Sequence, residues 1–131
     1  MTEGSAGTEA VPGAGALFSK KVYRLQQADW KRIRPELTRG ILGKALSPTG
    51  AGDIDVTLTR VEPRGEFSLH RDPYHHVFYV FEGTGEVRLG EEVYPIRPET
   101  VVQVPAGEVH AYKNNGDTEL ILLTLNIQVG K

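Results

Sequence analysis

From Pro35 onward the chain is cut by Gly, Pro and Asn into short segments rich in β-branched and aromatic residues, and this punctuation most restricts the fold. It leaves no room for a long helix and predicts an all-β barrel or sandwich. Strands are predicted over residues 38–45, 54–61, 67–71, 76–82, 86–89, 92–96, 101–104, 110–113 and 119–129. In the second of these, Ile54, Val56 and Leu58 alternate with Asp55, Thr57 and Thr59, the pattern of a strand with one buried face. Pro63-Arg64-Gly65, Asp72-Pro73-Tyr74, Gly90-Glu91 and Asn115-Gly116 are the predicted turns, and Gly83 and Gly85 mark another connection.

At 131 residues with 39% hydrophobic and 24% charged, the chain suits one globular domain with a real core. Residues 1–17 are dominated by Gly, Ala, Thr, Ser and Glu, so they are expected to form a flexible tail ahead of a domain over 18–131. Within that domain, 22–25 reads as a short extended run, followed by a helical turn opened by Asp29 before Trp30. A formal charge of -2 offers no footprint for a phosphate backbone, so nucleic acid is not an expected partner. The absence of cysteine removes disulfides, thiolate nucleophiles and Cys-type zinc sites, leaving His, Asp and Glu as the strong metal ligands. No apolar run has the length of a membrane span and no basic-then-apolar leader opens the sequence. A cytoplasmic protein with no membrane partner is therefore expected.

Three histidines stand out on this framework. His70 and His76 flank one short turn, and His110 lies on a later predicted strand. Strand parity puts Ser68, His70 and Asp72 on one face, with His76, Phe78 and Val80 on the return strand and His110, Tyr112 and Asn114 downstream able to share it. If those strands are neighbours around a barrel interior, three imidazoles and one carboxylate converge in an apolar pocket, as a metal site requires. Histidines satisfied within an ordinary core fit the same spacing.

His75 has the opposite parity to His76 and is expected to face away. Phe78, Val80 and Tyr112 are expected to line the pocket or pack in the core, with Tyr112 also able to donate to a substrate oxygen. Asn114 suits a cap on its own backbone beside the Asn115-Gly116 turn. Arg39, Arg60, Asn126 and Gln128 sit on or beside predicted strands, where surface exposure is the simpler expectation. Gly83-x-Gly85 leads into a strand, not a helix, and so is not a nucleotide-binding turn.

Two stretches, Gly65…His70-x-Asp72-x-x-x-His76-x6-Gly83 and Pro105-x-Gly107-x-x-His110-x-x-x-Asn114, resemble the two motifs of the cupin superfamily. The resemblance covers most of residues 38–129 and implies a single-domain double-stranded β-helix, or jelly-roll barrel. The first cupin motif usually carries His, His and Glu where this chain has His70, Asp72 and His76, and the second contributes a last ligand, matched by His110. A His in the Glu position is similar to small stand-alone cupins with four metal-binding histidines, some polyketide cyclases among them; here Asp72 stands for one of the four. Glu99 replaces the leading Gly of the second motif, a departure expected to affect a turn.

The resemblance implies a divalent transition metal ion (Fe, Mn or Zn) held by His70, Asp72, His76 and His110, or by the three histidines with Asp72 as a general base. Asp72 and Tyr112 are the implied catalytic residues. A small oxygenated organic substrate and dioxygenase or cyclase/isomerase chemistry follow, with a non-catalytic cupin binding a sugar or organic acid as the alternative. Pairing through edge strands, with 22–25 added to a neighbour's sheet, implies a homodimer.

Overall fold

The computed structural model describes residues 17–130. Among these, nine strands and a single 3-10 turn, Leu25–Gln27, make up the regular structure. The strands are β1 (Lys31–Arg32), β2 (Thr38–Ala45), β3 (Ile54–His70), β4 (His75–Glu82), β5 (Gly85–Leu89), β6 (Glu92–Ile96), β7 (Val101–Val104), β8 (His110–Asn114) and β9 (Leu120–Ile127). All pairings are antiparallel, in the order β6-β5-β8-β3-β9-β4-β7, with β2 also on β3 and β1 on β2. The sheet curls into the expected all-β jelly-roll. Among the described residues no helix is long and apolar enough to cross a membrane.

The turn expected at Pro63-Arg64-Gly65 is instead a bend inside one continuous strand. Residues 54–61 of β3 pair with β9, whereas Glu66, Phe67 and His70 pair with β8, so β3 belongs to both halves of the barrel. Its partner β2 bends with it. Gly40 takes φ 69° where the β2–β3 register shifts. At Gly65, a Cβ would meet the carbonyl oxygens of Arg39, Glu62 and Gly40 at 2.8, 2.9 and 3.0 Å. Glycine at both positions lets the two backbones fold over each other at this corner.

Period-two burial along the strands places the core. His76, Phe78 and Val80 of β4 are buried, as are His110, Tyr112 and Asn114 of β8, while intervening residues are more exposed. Val61, Val80 and Leu120 are fully buried at its centre. Parity breaks once, with consequences for the site. The β3–β8 register shifts between Phe67 and His70, so both point inward and their rings stack at 4.3 Å, while Ser68, expected to share the His70 face, is exposed. A bulge of this kind flips the face of everything beyond it.

The amino-terminal expectations need correction. Residues 22–24 have no regular structure, and the helical turn at Leu25–Gln27 lies ahead of Asp29 because Trp30 is drawn into packing. Its ring lies between the Lys44 ammonium at 4.6 Å and the Arg60 guanidinium at 4.5 Å. Except for Leu17, the tail expected over 1–17 lies outside the described residues. At the other motif, Glu99 takes φ 74° where the family pattern has Gly, and its N–H donates to the Val80 carbonyl at 2.9 Å. The departure is absorbed by a turn.

Candidate metal centre

Strand register builds the site. On one side His70 of β3 pairs directly with His110 of β8; on the other, His76 of β4 pairs with Asn126 of β9. Asp72 lies on the short link between β3 and β4, where its carbonyl accepts the Gly107 N–H at 2.8 Å. One ligand atom each from His70, Asp72 and His110 lie within 4.8 Å of one another. His76 is not part of that mutually close group; its Nε2 lies 2.9 Å from Asp72 Oδ2, and its ring centre is 4.9 Å from that of His110.

The imidazoles are oriented from outside the group. His70 Nδ1–H donates to the Ser68 carbonyl at 2.6 Å and His110 Nδ1–H to the Glu108 carbonyl at 2.9 Å, each two residues back along its strand. His76 Nδ1 meets Asn126 Oδ1 at 2.7 Å. With each Nδ1 so committed, the rings point Nε2 toward the cavity, and an Nε2 without a proton presents there the lone pair with which imidazole binds a metal. Asp72 Oδ2 sits 3.2 Å from His70 Nε2 and 2.9 Å from His76 Nε2. A lone pair facing a carboxylate at that range is repulsive unless a proton or a cation lies between them. Ligands about 2.1 Å from an ion stand about 3 Å apart at right angles, so the His70–Asp72 and His76–Asp72 separations, and the chemistry of the His70, Asp72 and His110 group, suit a divalent transition metal.

Arg34, which no sequence motif marked, completes the electrostatics. Its Nη1 donates to Asp72 Oδ1 at 2.7 Å. Burial pushes the Asp72 carboxyl up, but the bond from Arg34, joined by His76 and His70 when a proton sits on their Nε2, outweighs it and holds the group below the usual carboxylate range. Burial lowers His110 to about 4, partly opposed by the Glu108 carbonyl, so it is neutral at pH 7. Burial raises the Tyr112 phenol, which stays protonated.

The cavity around these groups is about 90 Å³ and two-faced. Phe67, Phe78 and Tyr112 form an aromatic wall; Thr57, Thr59, Thr124 and Asn126 form a polar one. Val80 is in the core and does not line it. Asn126 corrects its expected exposure, because the β4–β9 register sets it against His76. Arg39 and Gln128 are exposed as expected, and Arg60 covers Trp30 outside the cavity. His75 also faces away, its Nδ1 accepting the Ala106 N–H at 2.9 Å. Asn114 accepts the Gly116 N–H at 2.8 Å and also donates to the Val61 and Thr118 carbonyls.

The His110 shift carries a pH prediction for the metal-free protein. Between about pH 6.5 and 4 the unfolded chain binds a proton at this residue that the folded chain refuses. Stability is therefore lost as pH falls through that window. Thermal melts in a chelator should show Tm declining there, with a shallower decline in His110→Asn; equal slopes would exclude His110 as the source.

Residues 57–126 match the family model described as Cupin domain. Over 100 residues the chain is 34% identical to "Polyketide synthase CurC" of Streptomyces cyaneus, covering 73% of this chain and 65% of that protein. It is 29% identical over 66 residues to "5-nitrosalicylic acid 1,2-dioxygenase" of a Bradyrhizobium species, covering 50% of this chain and 32% of that protein. The chain thus spans about two thirds of the first relative and a third of the second. The crystal structure of the polyketide cyclase RemF from Streptomyces resistomycificus superposes with a TM-score of 0.73 at 20% identity, covering 84% of this chain and 80% of that one.

Proposed function

Because this chain belongs to the cupin family, we propose that it is a metal-dependent enzyme of that family, acting on a small oxygenated organic molecule at the His70–Asp72–His76–His110 site. The observation that carries the proposal is Asp72 Oδ2, 3.2 and 2.9 Å from the Nε2 atoms of His70 and His76, whose Nδ1 atoms are held by partners outside the cavity. In this reading His70, His76 and His110 hold a divalent ion through Nε2 and Asp72 through Oδ2. Bound iron, manganese or zinc supplies Lewis acidity toward adjacent carbonyl, enol or hydroxyl oxygens, and a redox-active ion adds dioxygen chemistry. Asp72 is assigned to the ion and not to proton transfer, since a carboxyl held below its ordinary range is a weak base.

Tyr112, protonated and facing the cavity, donates a hydrogen bond to a substrate oxygen. Phe67 and Phe78 exclude water and pack against a planar substrate. That wall, and similarity to proteins named for polyketide and nitrosalicylate chemistry, support dioxygenase or cyclase/isomerase reactions on aromatic or enolic molecules. The proposal extends to one domain over 18–131 and a cytoplasmic homodimer. The apolar side chains of Leu17, Phe18 and Val22 are exposed, and β6 and β7 each pair on one side only among the described residues, which supports an edge-covering arm.

Elemental analysis of the purified protein tests the metal reading. About one divalent transition ion per chain is expected, in a species of dimer mass by gel filtration, and His76→Ala should lose most of it. A folded sample that neither contains nor takes up such an ion sinks the enzymatic reading. Ligand binding that survives His76→Ala undiminished would assign a metal-independent binding protein instead.

A further inference from the structure

We propose that Arg34 recognises the substrate and that the substrate is a carboxylate bearing an oxygen on the neighbouring carbon, such as a hydroxy or oxo acid. The inference rests on the metal reading above and adds to it the charge of the molecule bound.

Placement comes first. Arg34 lies between β1 and β2 with φ 42°, in the left-handed region, although the residue before a proline is ordinarily confined to extended backbone. Such a conformation is held only where neighbours fix it. The Ile33 N–H donates to the Ile41 carbonyl at 3.0 Å, the Leu37 N–H to the Arg34 carbonyl at 2.8 Å, and the Thr38 hydroxyl contacts the carbonyls of Ile33 and Arg34. Ile33 itself packs over Gly43, where a Cβ would come within 2.7 Å of it. The chain is thus pinned in a strained form that delivers one guanidinium to the cavity.

Charge comes next. Among the described residues lining the cavity, Arg34 and Asp72 carry the only formal charges when the histidines are neutral, and they cancel. A divalent ion therefore leaves the lining at +2 beside an aromatic wall, where uncompensated charge is costly and an anionic ligand is favoured. Arg34 Nε also lies 3.7 Å from Glu36 Oε2, and the Arg34 side chain is 37% exposed while Asp72 is 6% exposed, so the guanidinium stands at the cavity mouth. The guanidinium also sits 5.8 Å from the centre of the Phe67 ring, at the edge of the aromatic wall.

Reach fixes the substrate class. Asp72 spans from Arg34 at Oδ1 to the imidazoles at Oδ2, so one carboxylate width separates the guanidinium from the Nε2 atoms. A substrate carboxylate entering beside Asp72 meets the Arg34 guanidinium, whose Nη1 holds Asp72 and whose Nε faces Glu36, as a charge-assisted donor, while an oxygen on the adjacent carbon faces the histidines. At about 90 Å³ the cavity holds roughly three waters' worth of a ligand, so the acid group and its adjacent oxygen enter, with any larger body outside.

The test compares 2-hydroxy-2-phenylacetate with 2-hydroxy-2-phenylacetamide, which share shape and oxygen placement but differ in charge, by calorimetric titration of metal-loaded protein. The acid should bind about tenfold more tightly or better. Arg34→Met should cut that preference severalfold while metal content stays near that of the wild type, because the lining falls from +2 to +1, and Arg34→Lys should retain most of it. Equal affinities, no binding of either probe, or a preference unchanged in Arg34→Met would each overturn the proposal. If Arg34→Met misfolds with Asp72 unpaired, the Arg34→Met/Asp72→Asn double variant, compared without metal, reads the same preference. Metal content is measured first: a wild type that takes up no ion defeats the metal reading, whereas the acid-over-amide preference of metal-free protein still decides the role of Arg34.

Discussion

His110→Ala should lower the affinity for divalent metal about 100-fold or more, a larger loss than any other single substitution in the cavity. His110 is 1% exposed, and its Nδ1–H is committed to the Glu108 carbonyl, so Nε2 is already aimed and desolvated. With its pKa lowered to about 4, protons do not compete for that lone pair at neutral pH. The other donors are less fully prepared: His76 depends on Asn126 for its orientation. Asn126→Ala, which removes only that support, should cost about tenfold. Competition titrations against a chromophoric chelator, with far-ultraviolet circular dichroism to confirm folding, measure both. Wild-type affinity in a folded His110→Ala protein would show that the ion, if bound, sits elsewhere.

The largest expected effect on stability lies outside the cavity, at the corner of β3. Gly65→Ala would set a methyl group against three backbone carbonyl oxygens at 2.8 to 3.0 Å, none of which belongs to a movable side chain. Overpacking with no side chain to yield costs about 3 kcal/mol, and for a domain of this size that lowers Tm by about 10 °C. Gly52→Ala is the matched control, since a Cβ there meets nothing within 4 Å. Thermal unfolding of the two variants should differ by most of that amount; similar Tm values would mean that β2 and β3 can part at the corner without cost.

Much of the fold was legible because period-two alternation and Gly/Pro punctuation are local signals. β2, β6 and β7 begin and end where the pattern says, and β4, β5 and β8 differ by one residue at an end. What failed were features decided by distant partners. The Pro63-Arg64-Gly65 stretch has turn chemistry, yet β2 and the β8–β9 pair hold it as one strand. The bulge between Phe67 and His70 is visible only as a register shift against β8, and it exchanges Phe67 for Ser68 on the inner face.

The candidate site was legible to a similar depth. His70, Asp72, His76 and His110 carry motif spacing, and strand parity separated His75 from His76. Asn126 could have been found by the same parity, because Thr124 and Asn126 share a face with the buried Leu122 of β9. Arg34 left no such trace. It sits in an irregular connection before a proline and reaches the cavity through a backbone angle that residue type does not announce.

One consequence follows from β3 serving both halves of the barrel. The stretch from the Gly65 corner to His70 is a fixed tether, already one residue out of simple alternation. Adding or deleting a single residue there would rotate the downstream half by a face and carry His70 from interior to surface. The loop around Gly50 and Gly52, with open space about both glycines, is free of that constraint. Length variation among descendants of this chain is therefore channelled away from the short run that aims His70 and into the loop that aims nothing.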